Sequence, residues 1–439
     1  MNKYTRINIL QNIKQILRTN INIILTQILN INNMIEYLSY ILFFGLLIII
    51  IVYGYIRIKY GFWISQPVFH IYDIGYIIKP PGIINHSLPN KNKYTNFKNI
   101  NTYEYNTLTN IELNRTLFFI KSNYLQNKNN IFSPKLNNIS PYFQGHNSKS
   151  FISLYHEENN MIDTKQNNII KDSKIIGTIT SRPIHIHMNN GNFDAYYVDY
   201  LCVDKLFRKK GIAPQLIQTH HYNQSHLNKN IVVSLFKREE ELTGIVPLTV
   251  YSTYGFSVDK WTKPTDLHPV YKLIEINAQN LHLLFGYIDE TRNQFDIVIN
   301  VNVSNITELI KSKNIYIYAI VLDNKIMCAY FYRKTCVFIE KNVEVLSCFA
   351  SINDFINQNN NTNNINDNEV FIQGFKISFW KIANENYFGF AAIENISHNN
   401  VIIDNLIIKT KPLIISPTAY FFYNFAYSTI KSNKALIIN

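Results

Sequence analysis

Between Tyr37 and Ile56 the chain reads YLSYILFFGLLIIIIVYGYI, 20 positions without a charge. A helix of that length spans about 30 Å, the thickness of a bilayer's hydrocarbon core. Tyrosines at both ends suit the interfacial layers. The stretch predicts a transmembrane helix over 37–56, and the 36 residues ahead of it argue against a cleaved signal. Arg57 and Lys59 follow it and Glu36 abuts it, so the positive-inside rule puts the C-terminal bulk in the cytosol. Residues 1–36 space Ile and Leu among polar positions, as in an amphipathic helix lying on a membrane or packed on another surface.

Beyond residue 57 the pattern turns to mixed α and β. SKIIGTITSRPIHIHM (173–188), AYYVDYLCV (195–203) and NIVVSLF (230–236) are β-branched, apolar runs that predict strands, and IAPQLIQTHHYNQS (212–225) predicts a helix with Pro214 in its first turn. A second set repeats the theme at 314–323, 325–333 and 343–352, before a low-complexity loop at 357–368. VFIQGFKISFWKIA and YFGFAAIEN follow. Two β-rich halves, each with a few helices, predict a duplicated α+β unit.

Composition adds three constraints. Hydrophobic residues make up 47% and charged residues 16%, enough apolar content for a packed core. The heavy use of Asn, Ile, Lys and Tyr reads as nucleotide bias, as in an AT-rich viral or parasite genome. The net charge of +12 favours anionic partners such as lipid headgroups or phosphorylated cofactors, although lysine enrichment by codon bias gives the same number. No nucleic-acid motif appears. Cys202, Cys328, Cys336 and Cys348 show no C-x-x-C spacing, which argues against a zinc site or disulfide framework and for small buried hydrophobes in a reducing compartment.

The segment YLCVDKLFRKKGIAP (200–214) carries the chemistry. An apolar strand breaks into Arg208, Lys209, Lys210 and Gly211, then enters a helix at Ile212, Ala213 and Pro214. Unpaired N–H groups and the helix dipole favour an anion there, and glycine admits it close to the backbone. A solvated basic turn has the same composition, but its place between strand and helix makes it a candidate pyrophosphate seat.

R-x-x-G-x-A in this setting resembles the coenzyme A loop of the GCN5-related N-acyltransferase superfamily. The stretch more closely resembles the glycylpeptide N-myristoyltransferases, whose hallmark is approximately NFLCVHKKLRSKRLAPVLI. Tyr200 to Val203, Lys205, Arg208, Lys210, Ala213, Pro214, Leu216 and Ile217 match it. FWISQPV (62–68) is similar to the family's FWDTQPV, SRPIHIHM to AIPANIHIY, SNYLQNKNNIF (122–132) to ENYVEDDDNMF, VPLTVYSTYGF (246–256) to LPKPVGTCRYWH, and YFFYNFAYSTIKSNKALIIN to the family's end. The likeness covers about 60–439 in scattered blocks, with most of 265–410 too diverged to align.

The resemblance implies an α+β fold of two pseudo-symmetric N-acyltransferase-like units, mixed sheets flanked by helices: 57–256 binding acyl-CoA and 257–439 binding the peptide, after the segments 1–36 and 37–56. It implies acyl-CoA, myristoyl-CoA in particular, as co-substrate, a protein N-terminal glycine as acceptor, and no metal. The co-substrate would contact Gly61, Phe62, Trp63, Cys202, Val203 and residues 208–214. The amides of Tyr200 and Leu201 would form the oxyanion hole, and the α-carboxyl of Asn439 would be the base. A free α-carboxyl titrates near about 3.3–3.7, so burial would have to raise it. A plain edge strand would read the same at the C-terminus. Tyr423 and Asn424 are candidate cleft liners or core. His187 is expected to be structural, and His220 and His221 to face solvent. The sequence departs from the family at Lys209 and Gly211, and at Gln126, Asn127 and Lys128, where the family is acidic. Those departures also suit an acetyl-CoA enzyme or an inactive binding protein.

Overall fold

A computed structural model describes residues 3–59, 61–125, 130–163, 168–189, 191–239, 244–339, 343–355 and 365–439. Gln126, Asn127 and Lys128 lie outside the described residues, as does 357–364 of the expected loop. The chain divides into two compact units, Met1–Gln66 and Pro67–Asn439.

In the first unit the segments expected at 1–36 and 37–56 are one unbroken helix, Lys3–Lys59. No proline interrupts it. Its stretch Glu36–Tyr55 is long and apolar enough to cross a membrane and buries nothing within the chain. A four-residue helix, Gly61–Ile64, follows.

The second unit is built on one mixed sheet of 15 strands. Its first half runs antiparallel through Phe151–Asp163, Asn168–Met188 and Gly191–Val203. Helix Ile212–Leu227 then crosses over to Ser234–Glu239, which lies parallel to Gly191–Val203. A parallel return needs such a crossover. The second half repeats the sequence of events. Ile315–Leu322, Lys325–Ile339 and Val343–Asn353 are antiparallel, helix Ile365–Asn386 crosses over, and Phe388–Glu394 returns parallel to Val343–Asn353.

The halves then exchange strands. Thr249–Ser257, which follows the first half, pairs with Phe388–Glu394 of the second. Ile414–Tyr423, which follows the second, pairs with Ser234–Glu239 of the first. The two exchanged strands also pair with each other. This interlock explains why the sheet is continuous across residue 256.

Three local expectations are corrected. Strand 230–236 begins only at Ser234, because Val233 already gives its carbonyl to the Tyr196 amide as the ladder starts. Residues 365–368 of the low-complexity run are helical, since they open helix Ile365–Asn386, which buries Phe371, Phe375 and Phe379. His220 and His221 are buried, not exposed. Helix Ile212–Leu227 lies so close to the sheet that a Cβ on Gly177 would sit 2.7 Å from Leu216 Cδ1. That approach leaves the helix little solvent-facing surface, and Ser153 and Ser181 bond both nitrogens of the His220 ring.

Candidate active site

The strand Gly191–Val203 pairs with Ser234–Glu239 only over Tyr196, Tyr197 and Val198. From Asp199 onward the two part. On the other side the ladder slips between Thr178 and Thr180, opposite Asp199 to Cys202. Tyr200 takes up the slack with φ +47°, a left-handed conformation that a bulky residue adopts only under constraint. Tyr200 and Leu201 therefore sit in a bulge at the mouth of a split between parallel strands. The Tyr200 amide is already engaged, donating to Asp199 Oδ1 at 2.8 Å. The same oxygen accepts from Tyr124 at 3.1 Å, and Asp199 Oδ2 lies 3.5 Å from Arg182 Nη1.

Below the bulge the chain turns into the helix. Cys202 and Val203 are buried on the last strand positions, and burial pushes the Cys202 thiol up to about 12, so it is no nucleophile. Arg208 is tied down, its Nε donating to Val203 O at 3.3 Å and its Nη2 to Asn123 O at 3.2 Å. Lys209 (φ +64°) and Gly211 (φ +77°) are left-handed, and Lys210 Nζ lies 4.6 Å over the Phe207 ring. Gly211 is the N-cap and offers no side-chain cap to the helix that Ile212, Ala213 and Pro214 begin, and no acidic residue occupies the first turn. Unpaired N–H groups thus lie next in the chain to two exposed ammonium groups. Gly61, Phe62 and Trp63 lie in the first unit, with the two rings edge-on at 5.1 Å.

The chain end is inside the molecule. Ala435–Ile437 pairs parallel to Ile297–Asn300, and Ile438 N–H donates to Ile299 O at 2.7 Å. Asn439 is 1% exposed. Arg333 Nη2 holds its terminal carbonyl oxygen and, at 3.2 Å, its side-chain oxygen. Ile438 and Tyr200 belong to the same buried cluster. The guanidinium fixes the last residue in place.

Around this end lies a charged group that sequence reasoning missed. Arg182, 2% exposed, stacks over Tyr142 and Tyr197 at 4.9 and 4.7 Å. Glu394 accepts from Tyr251 and from Lys237 at 3.1 Å. Burial alone would raise the Glu394 carboxyl, but Lys237, Arg333 and Tyr251 outweigh it and hold it below its ordinary value. The cations Arg182, Lys237 and Arg333 thus match the anions Asp199, Glu394 and the chain end. The signal was present as single charges inside apolar strands, in TSRPIHI and FAAIEN. Nothing in spacing reveals that they converge.

Several donors here have no hydrogen-bond partner among the described residues: Arg182 Nε and Nη1, Arg333 Nε and Asn439 Nδ2. Tyr423 and Asn424 are buried, and Asn424 clamps the chain by bonding Asn85 through both side-chain atoms. His187 is half-buried, and burial lowers its pKa.

The sequence model of the "Myristoyl-CoA:protein N-myristoyltransferase, N-terminal domain" matches residues 84–246. Among curated proteins none matches by sequence. Solved structures resemble the fold closely. Saccharomyces cerevisiae N-myristoyltransferase with bound myristoyl-CoA superposes with a TM-score of 0.65 at 13% identity, covering 85% of this chain and 94% of the yeast one. A second structure, with myristoyl-CoA and inhibitors, gives 0.66 at 12% identity, covering 85% and 91%. Residues 84–246 thus match the N-terminal domain of the N-myristoyltransferases in sequence, and the chain carries the fold of the yeast N-myristoyltransferase over most of its length.

Proposed function

We propose that the protein transfers a long acyl chain, myristoyl by family likeness, from acyl-CoA to the amine of a protein's N-terminal glycine. The observation that carries this reading is the burial of Asn439, whose neighbour Ile438 belongs to the buried cluster that also holds Tyr200. In the reaction the neutral amine attacks the thioester carbon. The carbonyl oxygen gains charge against the amides of Tyr200 and Leu201. The C–S bond then breaks, the nitrogen's proton goes to the Asn439 carboxylate, and the thiolate leaves. An α-amine has a pKa near about 7.7–8.0, so little help is needed to free its lone pair. The Gly211 helix start and Lys209 and Lys210 take the pyrophosphate.

For the oxyanion to form, the Asp199 carboxylate must leave the Tyr200 amide. Arg182 Nη1, 3.5 Å from Asp199 Oδ2, supplies a destination. The same contact favours a second reading, a binding protein that holds acyl-CoA without turnover. Incubation with labelled myristoyl-CoA and a panel of glycine-starting peptides separates them. Transfer supports the enzyme, and a thermal shift with myristoyl-CoA but no transfer supports the binder. A larger shift with acetyl-CoA than with lauroyl-, myristoyl- or palmitoyl-CoA overturns the long-chain assignment.

The apolar stretch Glu36–Tyr55 supports a single-pass membrane anchor, and Arg57 and Lys59 just after it favour the cytosol for the larger unit. Acyl-CoA and acylated product both partition to bilayers, so anchoring would concentrate both.

A further inference from the structure

A groove of about 840 Å³ opens between the loop after strand Thr249–Ser257 and the helices Ile365–Asn386 and Asn399–Lys409. It shares no lining residue with 200–214 or with Asn439. Five lysines line it: Lys260, Lys263, Lys376, Lys409 and Lys411. Asp259 is the one acid in the lining, and the Ser257 hydroxyl donates to it at 2.9 Å. Beside the groove runs IIKTKPLII, residues 407–415. Its apolar members are held out in solvent, Ile408 at 81%, Leu413 at 64% and Ile415 at 56% exposed.

We propose that the groove and its apolar rim are a docking site for an anionic bilayer surface, with a phospholipid headgroup seated among the lysines. The charge is complementary and almost unopposed, which is the electrostatic term that draws proteins to anionic leaflets. Isoleucines and a leucine interleaved with Lys409 and Lys411 supply the term that enters the acyl boundary. Trp261 and Trp380 line the same groove, and tryptophan favours headgroup depth. Lys263 Nζ, 5.9 Å over the Trp380 ring, keeps a cation at that wall. Lys376 Nζ donates to the neutral Asn405 side chain at 3.0 Å, and burial and then Lys409 lower its pKa, so a headgroup phosphate would add to the counter-charge that Asp259 alone supplies in the lining. This site is independent of the N-terminal helix and of acyl transfer.

The full-length chain in phosphatidylcholine vesicles, with and without phosphatidylserine, tests the proposal by hydrogen exchange. The N-terminal helix is present in both arms, so bulk partition does not discriminate and local exchange does. The expected result is slowed exchange in 373–380 and 405–415 only when phosphatidylserine is present, and loss of that slowing in the Lys409→Glu, Lys411→Glu double variant. Unchanged exchange in helix Ile212–Leu227 checks that the variant is folded. A separate Ile408→Asp variant, which keeps the lysines, is expected to weaken the slowing. No dependence on phosphatidylserine, the same slowing in the charge variant, or equal slowing by soluble glycerophosphoserine without a bilayer overturns it.

Discussion

The terminal residue is where a single group decides most. Asn439 has no room behind it, so adding a few residues to the C-terminus must either displace the carboxylate or unpair strand Ala435–Ile437. Acyl transfer is expected to fall by at least 100-fold, with myristoyl-CoA binding at the Gly211 end retained; full activity in the extended chain excludes the carboxylate as base. Arg333 is the partner that makes a buried carboxylate tolerable. Arg333→Gln leaves that charge uncompensated and is expected to cost about 3 kcal/mol. Urea unfolding measures it, and a change under about 0.5 kcal/mol shows that the pair is not holding the end in place. Arg182, Asp199 and Glu394 were invisible as a group beforehand, because a lone charge in a strand carries no record of which other charges it will meet.

At the scale of elements, the helix start at Gly211 was legible as a strand-to-helix anion seat, and its φ of +77° explains the glycine. Nothing lies within 4 Å of a Cβ built there, so Gly211→Ala adds backbone strain of about 1–2 kcal/mol rather than a clash. The expected outcome is weaker binding of acyl-CoA with little change in the melting temperature, and calorimetric titration with myristoyl-CoA reads it. Helix Asn110–Asn123 carries a capping box in which Glu112 N–H donates to the Thr109 hydroxyl and the Thr109 amide to Glu112. Thr109→Ala is expected to lower stability by about 1 kcal/mol, checked by denaturant titration. The strand runs at 173–188 and 195–203 were recovered because both are β-branched, apolar runs, with consecutive residues buried over Ile176–Ile184 and Ala195–Tyr197. The expectation that helix Ile212–Leu227 exposes His220 and His221 failed because serines on the sheet satisfy a histidine that periodicity alone would put in water.

Across the whole molecule, buried neutral histidines set the response to acid. Burial depresses His220 to about 3 and His221, His146 and His398 to about 4. Each folded pKa lies below the unfolded value of about 6.5, so the unfolded chain binds protons first and stability falls as pH drops below 6.5. At pH 5 each group has lost roughly 2 kcal/mol, and four together rival the roughly 5–15 kcal/mol that holds an ordinary domain. Thermal melts from pH 7.5 to 5 are expected to show a steep, continuous loss, and a flat profile contradicts the burial of these rings. Glu394, held below its ordinary carboxyl value, adds its own loss only further down, below about pH 4. At the same scale, removing residues 1–56 is expected to turn salt-resistant attachment to membranes into attachment that high salt releases, the part left to the basic groove. Fractionation at low and high salt reads it, and salt-resistant retention of the shortened chain excludes the apolar helix as the anchor.

By itself the sequence determined what depends on neighbours along the chain: the uncharged 20-residue helix, the alternating strands, the glycine turn that opens a helix, and the family likeness in those blocks. Hydrophobic period and backbone sterics act over a few residues, so they are written locally. Only the tertiary structure decided that Thr249–Ser257 and Ile414–Tyr423 trade places between the halves. It alone brought Arg333 from one half against the last residue of the chain, and set Asp199 on the Tyr200 amide. Pairing between distant strands and the meeting of charges inside a low-dielectric core are properties of three-dimensional closure, which no local spacing encodes.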